Sequence, residues 1–449
     1  MKILKRILLA LLLIITILVV YNYPKLNIVS GYASKNLAST NFIANRLYSD
    51  IVESDNAMDL IELAEMESAD EKSVITSVFG LMDRETVCRE GLGCVLINDE
   101  YDKTQKLLKP NRSRLENELP FPYGNNGKLD TVFANIDYEK LNAAVSGAFQ
   151  NYEVQKTRTV LVTYKGHIIA EDYIEGFSKE TPILGWSMTK SVLATLYGIL
   201  EYQNKINVHE YKPFKELDLT GLTGKDPRDF IPLDSFLRMS SGLAWDEDYA
   251  SISDVTKMLF LEEDMTKSQV QTDYNSKEPN LWNYSSGTSN LLSGILRKQF
   301  KTHQEYLDFP YTALIDKIGM HSMLIETDMS GNYVGSSYGW ANTRDWAKFG
   351  ILHLNKGNWN GEQLFSPEWI AYITKVTPNS EGTYGAHWWL NAEGKYPDVP
   401  RDLYSANGFQ GQRVFIIPSK DLVIVRTGLA GGDAFDANTF LKGVVEAIE

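Results

Sequence analysis

A serine and a lysine that could act together on a carbonyl lie in the segment 185–190 (GWSMTK), which runs into the apolar stretch 192–200. Residues i and i+3 share a helix face, so a helix beginning at Ser187 would bring Lys190 to its hydroxyl. The positive end of the helix dipole would favour an alkoxide-like charge on the serine. A lysine acts as a base only where burial or nearby cations lower its pKa, so this chemistry requires a closed pocket. The pattern alone also fits Ser187 as a helix N-cap beside a solvated Lys190.

A tyrosine at a predicted turn could complete the pair. Tyr284 lies in the segment 282–288 (WNYSSGT), just before the amphipathic run 291–300. A phenol close to a cationic lysine can pass a proton to a leaving group.

Two other tyrosines compete for this role. Tyr202 would lie on the helix that begins at Ser187, about 22 Å away along its axis at 1.5 Å per residue, and is excluded. Tyr249 follows the acidic cluster 246–248, which fits either a pocket rim or a solvated loop.

A glycine-containing segment, 406–412 (ANGFQGQ), precedes a predicted strand. Its glycines allow another group to approach the backbone closely. A backbone N–H on this edge could form half of an oxyanion hole, and the N–H of Ser187 could form the other half. Taken alone, the segment is also typical of an ordinary loop before a strand.

The order of these segments resembles the serine β-lactamase and penicillin-binding superfamily. The resemblance is closest to the class C β-lactamase-like branch and its 6-aminohexanoate-dimer hydrolases. It is carried by Trp186 before Ser187 and by the segments 237–243 (LRMSSGL), 284–288 (YSSGT) and 343–350 (TRDWAKFG). It covers about residues 137–449.

The resemblance implies a role for each matching residue. Ser187 matches the acylated nucleophile, Lys190 its activating base and Tyr284 the proton shuttle. The N–H groups of Ser187 and Phe409 match the oxyanion hole, and Trp186 flanks the nucleophile.

Two departures from the family pattern bear on the substrate. Asn407 and Gly408, preceded by Ala406, occupy the family's Lys-Thr-Gly or His-Thr-Gly position, and Ser286 replaces the asparagine of Tyr-x-Asn. These changes remove groups that bind a β-lactam carboxylate and amide. We therefore expect a small amide or ester substrate, a class that includes peptide-like molecules, rather than a β-lactam. The resemblance implies no cofactor.

Alternative activities have weaker support. A literal Gly-x-Ser-x-Gly spans 335–339, but the residues before it make a poor strand for an α/β-hydrolase elbow, so it also fits a glycine-rich surface loop. The six histidines form no metal-ligand pattern, so we expect no metal. His387, beside two tryptophans, fits a pocket wall or, more commonly, a packed core position. A non-catalytic domain that binds cell-wall peptide or a partner stays open, although it would not need Ser187, Lys190 and Tyr284 together.

The N-terminus is typical of an export signal. A short basic stretch precedes the uncharged run 7–21. The run would form a helix about 22 Å long, close to membrane-spanning length if flanking residues lie at the interfaces. We predict an uncleaved membrane anchor with the body outside the cytoplasm, for example in a periplasm; a cleaved signal is the alternative.

The two cysteines, Cys88 and Cys94, enclose two glycines. In an exported protein such a close pair indicates a small disulfide loop, and two buried free thiols are the alternative.

The composition describes an acidic globular protein. The 449 residues are 43% hydrophobic and carry a net charge of −14, which argues against nucleic acid as a partner. Strand patterns near residues 157–173 and 412–427 enclose a long helical region. This order predicts an α+β fold, with one antiparallel sheet built from both ends of the body.

Three parts are expected along the chain. They are an anchor (1–24), an extension of mixed, partly helical character with a linker (25–136), and a β-lactamase-like body (137–449) with a helical insertion at about 187–375.

Overall fold

The computed structural model describes residues 2–114, 118–124, 126–222 and 224–449. Within them the α-helices are α1 (Lys2–Ala44), α2 (Tyr48–Glu53), α3 (Tyr138–Gly147), α4 (Tyr152–Gln155), α5 (Met188–Tyr202), α6 (Pro213–Glu216), α7 (Leu233–Leu237), α8 (Asp254–Leu261), α9 (Ser286–Arg297), α10 (His303–Pro310), α11 (Thr343–Leu354), α12 (Pro367–Thr374) and α13 (Ala437–Glu446). A π-helical turn covers Tyr311–Ile315, and short 3-10 turns cover Ile61–Leu63, Pro227–Phe230, Ser268–Gln271, Phe409–Gly411 and Pro418–Lys420.

The strands of the described residues are β1 (Ala64–Ala69), β2 (Ser73–Val78), β3 (Leu81–Arg89), β4 (Gly93–Leu96), β5 (Thr157–Tyr164), β6 (His167–Tyr173), β7 (Ile183–Leu184), β8 (Leu324–Ile325), β9 (Gly339–Ala341), β10 (Asn358–Trp359), β11 (Glu362–Gln363), β12 (Trp389–Leu390), β13 (Tyr404–Gly408), β14 (Gln412–Ile417) and β15 (Leu422–Gly428).

An antiparallel sheet with the order β12-β13-β14-β15-β5-β6 forms the centre of the body. β5 pairs with β15, which joins the start of the body to its end in one sheet, as the sequence predicts. All of β5 and β15 is buried, because helices cover both faces of the sheet. α3 and α13 pack on one face through Leu141, Val145 and Leu441. α11 packs on the other face.

α5 begins at the end of β13 and runs through the main apolar core. Its residues from Met188 to Leu200 are all buried. α9 packs beside α5 in the helical region. A helix that is buried all round cannot move freely, so the residues at its N-terminus are held in place.

The extension before the body folds as a long helix packed on a small sheet. α1 runs without interruption to Ala44, much further than the apolar run 7–21 that the sequence indicates. β1 to β4 form an antiparallel sheet in chain order against it. The sequence predicts mixed, partly helical structure here, and the extension combines the end of α1 with the strands β1–β4. β2 is rich in β-branched residues, which favour strands.

The small sheet carries the predicted cysteine pair. Cys88 on β3 lies opposite Cys94 on β4, and a disulfide joins them.

Buried polar contacts fix the extension to the body. Glu326 is fully buried and accepts hydrogen bonds from Lys35 (2.7 Å), the Cys94 backbone N–H (2.7 Å) and the Trp340 indole (2.9 Å). These groups come from α1, the small sheet and the body, so the buried carboxylate ties the three together.

Candidate active site

The N-terminus of α5 holds Ser187 and Lys190 on one face, as their spacing predicts. Lys190 Nζ lies 2.9 Å from Ser187 Oγ. Ser187 is the residue before the first turn of α5 and keeps 9% of its surface exposed, whereas Lys190 keeps 2%. Trp186, just before the serine, has a positive φ of 48°, a strained conformation for a bulky residue. Such strain is common where a fold presents a functional side chain.

Lys190 has a complete set of three polar neighbours. Besides Ser187 Oγ, its Nζ lies 2.9 Å from Ser286 Oγ and 2.9 Å from the Ser336 carbonyl oxygen. The carbonyl can only accept, so one N–H of the lysine points to Ser336.

Glu247 determines the direction of the hydrogen bond between Lys190 and Ser286. The Ser286 hydroxyl donates to Glu247 Oε1, because a carboxylate only accepts. Ser286 must therefore accept from Lys190. When Lys190 is neutral, its two N–H groups go to Ser286 and Ser336, and its lone pair is left for the hydroxyl proton of Ser187. In this arrangement the lone pair of a neutral Lys190 could accept the hydroxyl proton of Ser187.

Burial lowers the pKa of Lys190 from its ordinary value to about 8, although the Glu247 charge opposes this shift. The neutral amine is then accessible near neutral pH. A base with a pKa close to the working pH is the efficient one for proton transfer.

Tyr284 precedes α9 and lies beside the Ser187–Lys190 pair. The Lys190 Nζ lies 5.0 Å from the centre of the Tyr284 ring, and Ser187 is close enough to affect the pKa of the phenol. Burial, and then the Glu247 charge, raise the pKa of Tyr284, while Ser187 and Arg413 lower it. The phenol therefore keeps its proton at neutral pH and can donate it.

β13 comes into direct contact with the segment that precedes Ser187. A Cβ on Gly408 would lie 2.0 Å from the Gly185 carbonyl oxygen, so only glycine permits this approach. Phe409 follows at once, and its ring lies 5.5 Å from that of Trp186. The backbone of Phe409 is thereby held beside the start of α5, where the sequence predicts the second oxyanion donor.

Aromatic rings form the wall around Ser187. Tyr249 stacks on Phe409 at 4.9 Å and meets Trp186 edge-on at 6.1 Å. Tyr32, on α1, stacks behind Trp186 at 6.3 Å. The N-terminal extension therefore supports one wall of the site.

The other predicted site residues lie around this centre. Asn407 is half-buried on β13, and its Oδ1 has no hydrogen-bond partner within the described residues. Arg413, opposite Asn407 on β14, donates to the Gly408 carbonyl at 2.9 Å. Its charge acts on Tyr284. Arg413 thus brings a positive charge to the strand pair in which Ala406 replaces the family's lysine.

Sequence reasoning left three features of this site open or misjudged them. Glu247 belongs to the network, whereas its neighbours Asp246 and Asp248 are exposed. Tyr249 lines the wall, as the pocket-rim alternative for this loop predicts. The Gly-x-Ser-x-Gly at 335–339 is not a surface loop, because Ser336 and Ser337 are fully buried.

His387 is a packed core residue. Its Nδ1 donates to the Leu237 carbonyl at 2.6 Å, and its Nε2 is 3.0 Å from Ser289 Oγ. Burial lowers the pKa of His387 to about 3, so the ring is neutral.

Comparisons with known proteins agree with this architecture. Similar solved structures include a "Putative 6-aminohexanoate-dimer hydrolase from Bacillus anthracis", at 20% identity and a TM-score of 0.55 over 68% of this chain and 80% of that one. A D-stereospecific amidohydrolase from Streptomyces has 14% identity and a TM-score of 0.52 over 68% and 98% of the two chains. A class C beta-lactamase from Rhodobacter sphaeroides has 14% and 0.50 over 69% and 98%. At these identities the similarity concerns the fold.

No curated protein sequence matches the chain. The family model described as Beta-lactamase matches residues 146–437, which include α5, α9 and β13. Since this match spans more than half of the chain, the protein belongs to the beta-lactamase family.

Proposed function

We propose that this protein is a serine hydrolase that cleaves an amide or ester bond through an acyl-enzyme on Ser187. The observation that carries the proposal is the set of three hydrogen-bond partners around Lys190 Nζ, which leaves the lone pair of the neutral amine for Ser187. Burial also lowers the pKa of Lys190 to about 8. A lysine that merely filled a core would not need this arrangement.

The proposed cycle has two halves. In acylation, Lys190 Nζ takes the Ser187 proton, Ser187 Oγ bonds to the substrate carbonyl carbon, and the oxyanion is stabilised by the N–H groups of Ser187 and Phe409. The bond to the leaving nitrogen or oxygen then breaks as Tyr284 gives that atom its proton, and Lys190 returns a proton to Tyr284. In deacylation, Lys190 takes a proton from water as the water oxygen bonds to the acyl carbon. The bond from that carbon to Ser187 Oγ then breaks, Lys190 returns the proton to Ser187, and the carboxylic acid leaves.

The surroundings of the site favour a substrate with an apolar acyl or aromatic group. Trp186, Tyr249 and Phe409 line one side of Ser187, and Tyr284 packs with Trp389 at 5.3 Å on another. Aromatic faces bind apolar and planar groups well.

The positive charge near the site comes from Arg413 on β14, whereas the family's lysine would lie on β13. This difference favours a substrate whose polar group is bound at another position than the carboxylate of a β-lactam. Esterase and amidohydrolase names among the similar structures fit this range of substrates.

We also propose that α1 anchors the protein in a membrane, with the catalytic body, residues 137–449, outside the cytoplasm. α1 contains an 18-residue window with a mean hydropathy of 2.8, none of which is buried in the protein. Exposed apolar helix of this length is compatible with a membrane span or a signal sequence.

The decisive experiment is labelling of the detergent-solubilised full chain with a fluorophosphonate, followed by mass spectrometric mapping of the adduct. We expect the adduct on Ser187. Ser187→Ala should abolish labelling, while the control Ser337→Ala, in the Gly-x-Ser-x-Gly segment, should label normally.

An adduct on Ser337 would contradict the proposal and would support an elbow-type nucleophile. A folded wild-type protein that forms no adduct would favour a non-catalytic domain that binds peptide or a partner.

A further inference from the structure

We propose that the apolar tip, defined as Leu60, Leu63, Phe79 and Leu81, inserts into the surface of the bilayer that α1 spans. The inference rests on the anchoring proposed above. It concerns a surface outside the catalytic site and assigns it a lipid partner.

α1 enters the folded body at Lys25. Residues 21–24 are exposed and residues 25–29 are half-buried, so the body begins where the apolar stretch ends. Tyr21 and Tyr23 lie just before this point, and the Lys25 ammonium lies 4.4 Å from the centre of the Tyr21 ring. Tyrosine and lysine at the end of an apolar helix are typical of the membrane–water interface. The interface therefore lies at the level of residues 21–25.

The small sheet runs alongside α1 in a direction that its hydrogen bonds define. Thr76 Oγ1 donates to the Ser30 carbonyl at 2.6 Å, and Ser34 Oγ donates to the Val74 carbonyl at 2.9 Å. Moving along β2 from residue 74 to residue 76 therefore means moving down α1 from residue 34 to residue 30. The two paths match in length, about 6.6 Å of strand against about 6 Å of helix.

The hairpin between β2 and β3 consequently lies at the membrane end of the body. Val78 and Phe79 follow Thr76 in this direction, and on the other strand of the hairpin the Met82 carbonyl accepts from Ser30 Oγ at 2.7 Å. Arg84 on β3, opposite Thr76, extends in the same direction, because its guanidinium donates to the Asn27 side chain at 2.5 Å. The hairpin reaches the level at which α1 leaves the body.

The residues at this end are apolar and face solvent. Phe79 is 69% exposed, Leu60 57%, Leu81 45% and Leu63 38%. β1 pairs Ala64 with Val78, which sets Leu63 beside the hairpin. Several large apolar side chains gathered at one end of a small sheet indicate a contact surface.

A lipid surface is the occupant that geometry favours. The tip is tethered beside a membrane-spanning helix at the level of its interfacial residues, so it meets the bilayer without any further binding event. Exposed acidic side chains such as Glu62 and Asp83 flank the tip. The contact is therefore apolar and does not depend on anionic headgroups or on low salt.

A second membrane contact would fix the tilt of the body. Tyr32, which supports the Trp186 wall, lies nine residues beyond Tyr23 on α1, or about 14 Å at 1.5 Å per residue. With α1 and the tip both seated, the aromatic wall of the site would be held at this height above the bilayer.

The test uses the full chain in phosphatidylcholine vesicles. A polarity-sensitive fluorophore is attached to F79C, L81C, L13C in the apolar run, or F230C. Cys88 and Cys94 are paired, so the new thiol is the reactive one. Phe230 is the matched control: it is 67% exposed, like Phe79, but lies in the region that packs near the far end of α5.

We expect emission from positions 13, 79 and 81 to shift to the blue and to be quenched by spin-labelled lipid, at low and high salt, while position 230 keeps its aqueous emission. Quenching at 13 with positions 79 and 81 behaving like 230 would overturn the tip contact but leave the anchor intact. No quenching at 13 would overturn both. Fluorophosphonate labelling of the same variants reports on the proposed hydrolase independently.

Discussion

Glu247 is expected to control both the charge and the hydrogen bonding of Lys190, and Glu247→Gln tests both effects. Lys190 Nζ to Ser286 Oγ is 2.9 Å, and Ser286 bonds to Glu247 in turn. Two such bonds in series put the charges about 5 Å apart, where Coulomb's law at an effective dielectric constant of about 20 gives an upper limit of about 3 kcal/mol. That energy equals about two pKa units. Removing the carboxylate should therefore lower the pKa of Lys190 from about 8 by about one to two units.

The same substitution should also redirect a proton. The Ser286 backbone N–H (2.8 Å) and the Trp245 indole N–H (2.6 Å) both donate to Glu247 Oε2. The glutamine carbonyl must take that position, so its NH₂ group faces the Ser286 hydroxyl. Ser286 then accepts from the glutamine and turns its own proton to the Lys190 lone pair, in competition with Ser187. One displaced hydrogen bond of about 1.4 kcal/mol would lower the maximal rate about tenfold.

The assay is the second-order rate of fluorophosphonate inactivation as a function of pH. Wild-type protein should reach its plateau above a midpoint near pH 8, because Lys190 must be neutral to act as the base. Glu247→Gln should move the midpoint to lower pH and reduce the plateau. The control is Asp248→Asn on the same loop, which should change neither, because Asp248 is exposed. A midpoint that stays in place or rises would refute the electrostatic argument, and an unchanged plateau would refute the argument about proton direction.

Three further substitutions test other parts of the structure. Tyr284→Phe should reduce turnover of an ester or amide by about 10² to 10⁴, while the inactivation midpoint stays near pH 8; a lost midpoint would make Tyr284 rather than Lys190 the base. Gly408→Ala puts a Cβ 2.0 Å from a backbone oxygen and should lower the inactivation rate by about 10² to 10³. The control Gly431→Ala has open space around it and should leave the rate unchanged. Equal effects of the two substitutions would contradict the oxyanion role of the β13 edge. Glu326→Gln leaves a buried ammonium without its partner and should lower the free energy of unfolding by about 3 to 5 kcal/mol in urea titrations; a loss below about 1 kcal/mol would show that water or another group compensates the charge.

Local spacing was sufficient to bring Ser187 and Lys190 together, because i and i+3 share a face on any helix. Tyr284 was harder, since its position depends on how α9 packs against α5. The similarity to a family, rather than periodicity, selected it over Tyr249. The central sheet was predictable because β5, β14 and β15 are long apolar runs bounded by turn residues.

Glu247 and Ser336 were not predictable from the chain for a physical reason. Three consecutive acids fit a solvated loop, and nothing local marks the middle one as the partner of Ser286. Ser336 contributes only its carbonyl oxygen to Lys190, and every residue has one. Contacts made by backbone atoms, or by one member of a like-charged cluster, become visible only when distant segments are brought together.

The N-terminal extension is in direct contact with the body beside the candidate site. Its Lys35 neutralises Glu326 inside the body, and its Tyr32 stacks behind Trp186, the residue next to Ser187. Because Trp186 is held in a strained backbone conformation, the packing on its outer face contributes to keeping it there. The same helix that carries Tyr32 runs back to the apolar segment 7–21 without a break. Under the proposed anchoring, tilting or removing this helix should therefore disturb the aromatic wall beside Ser187.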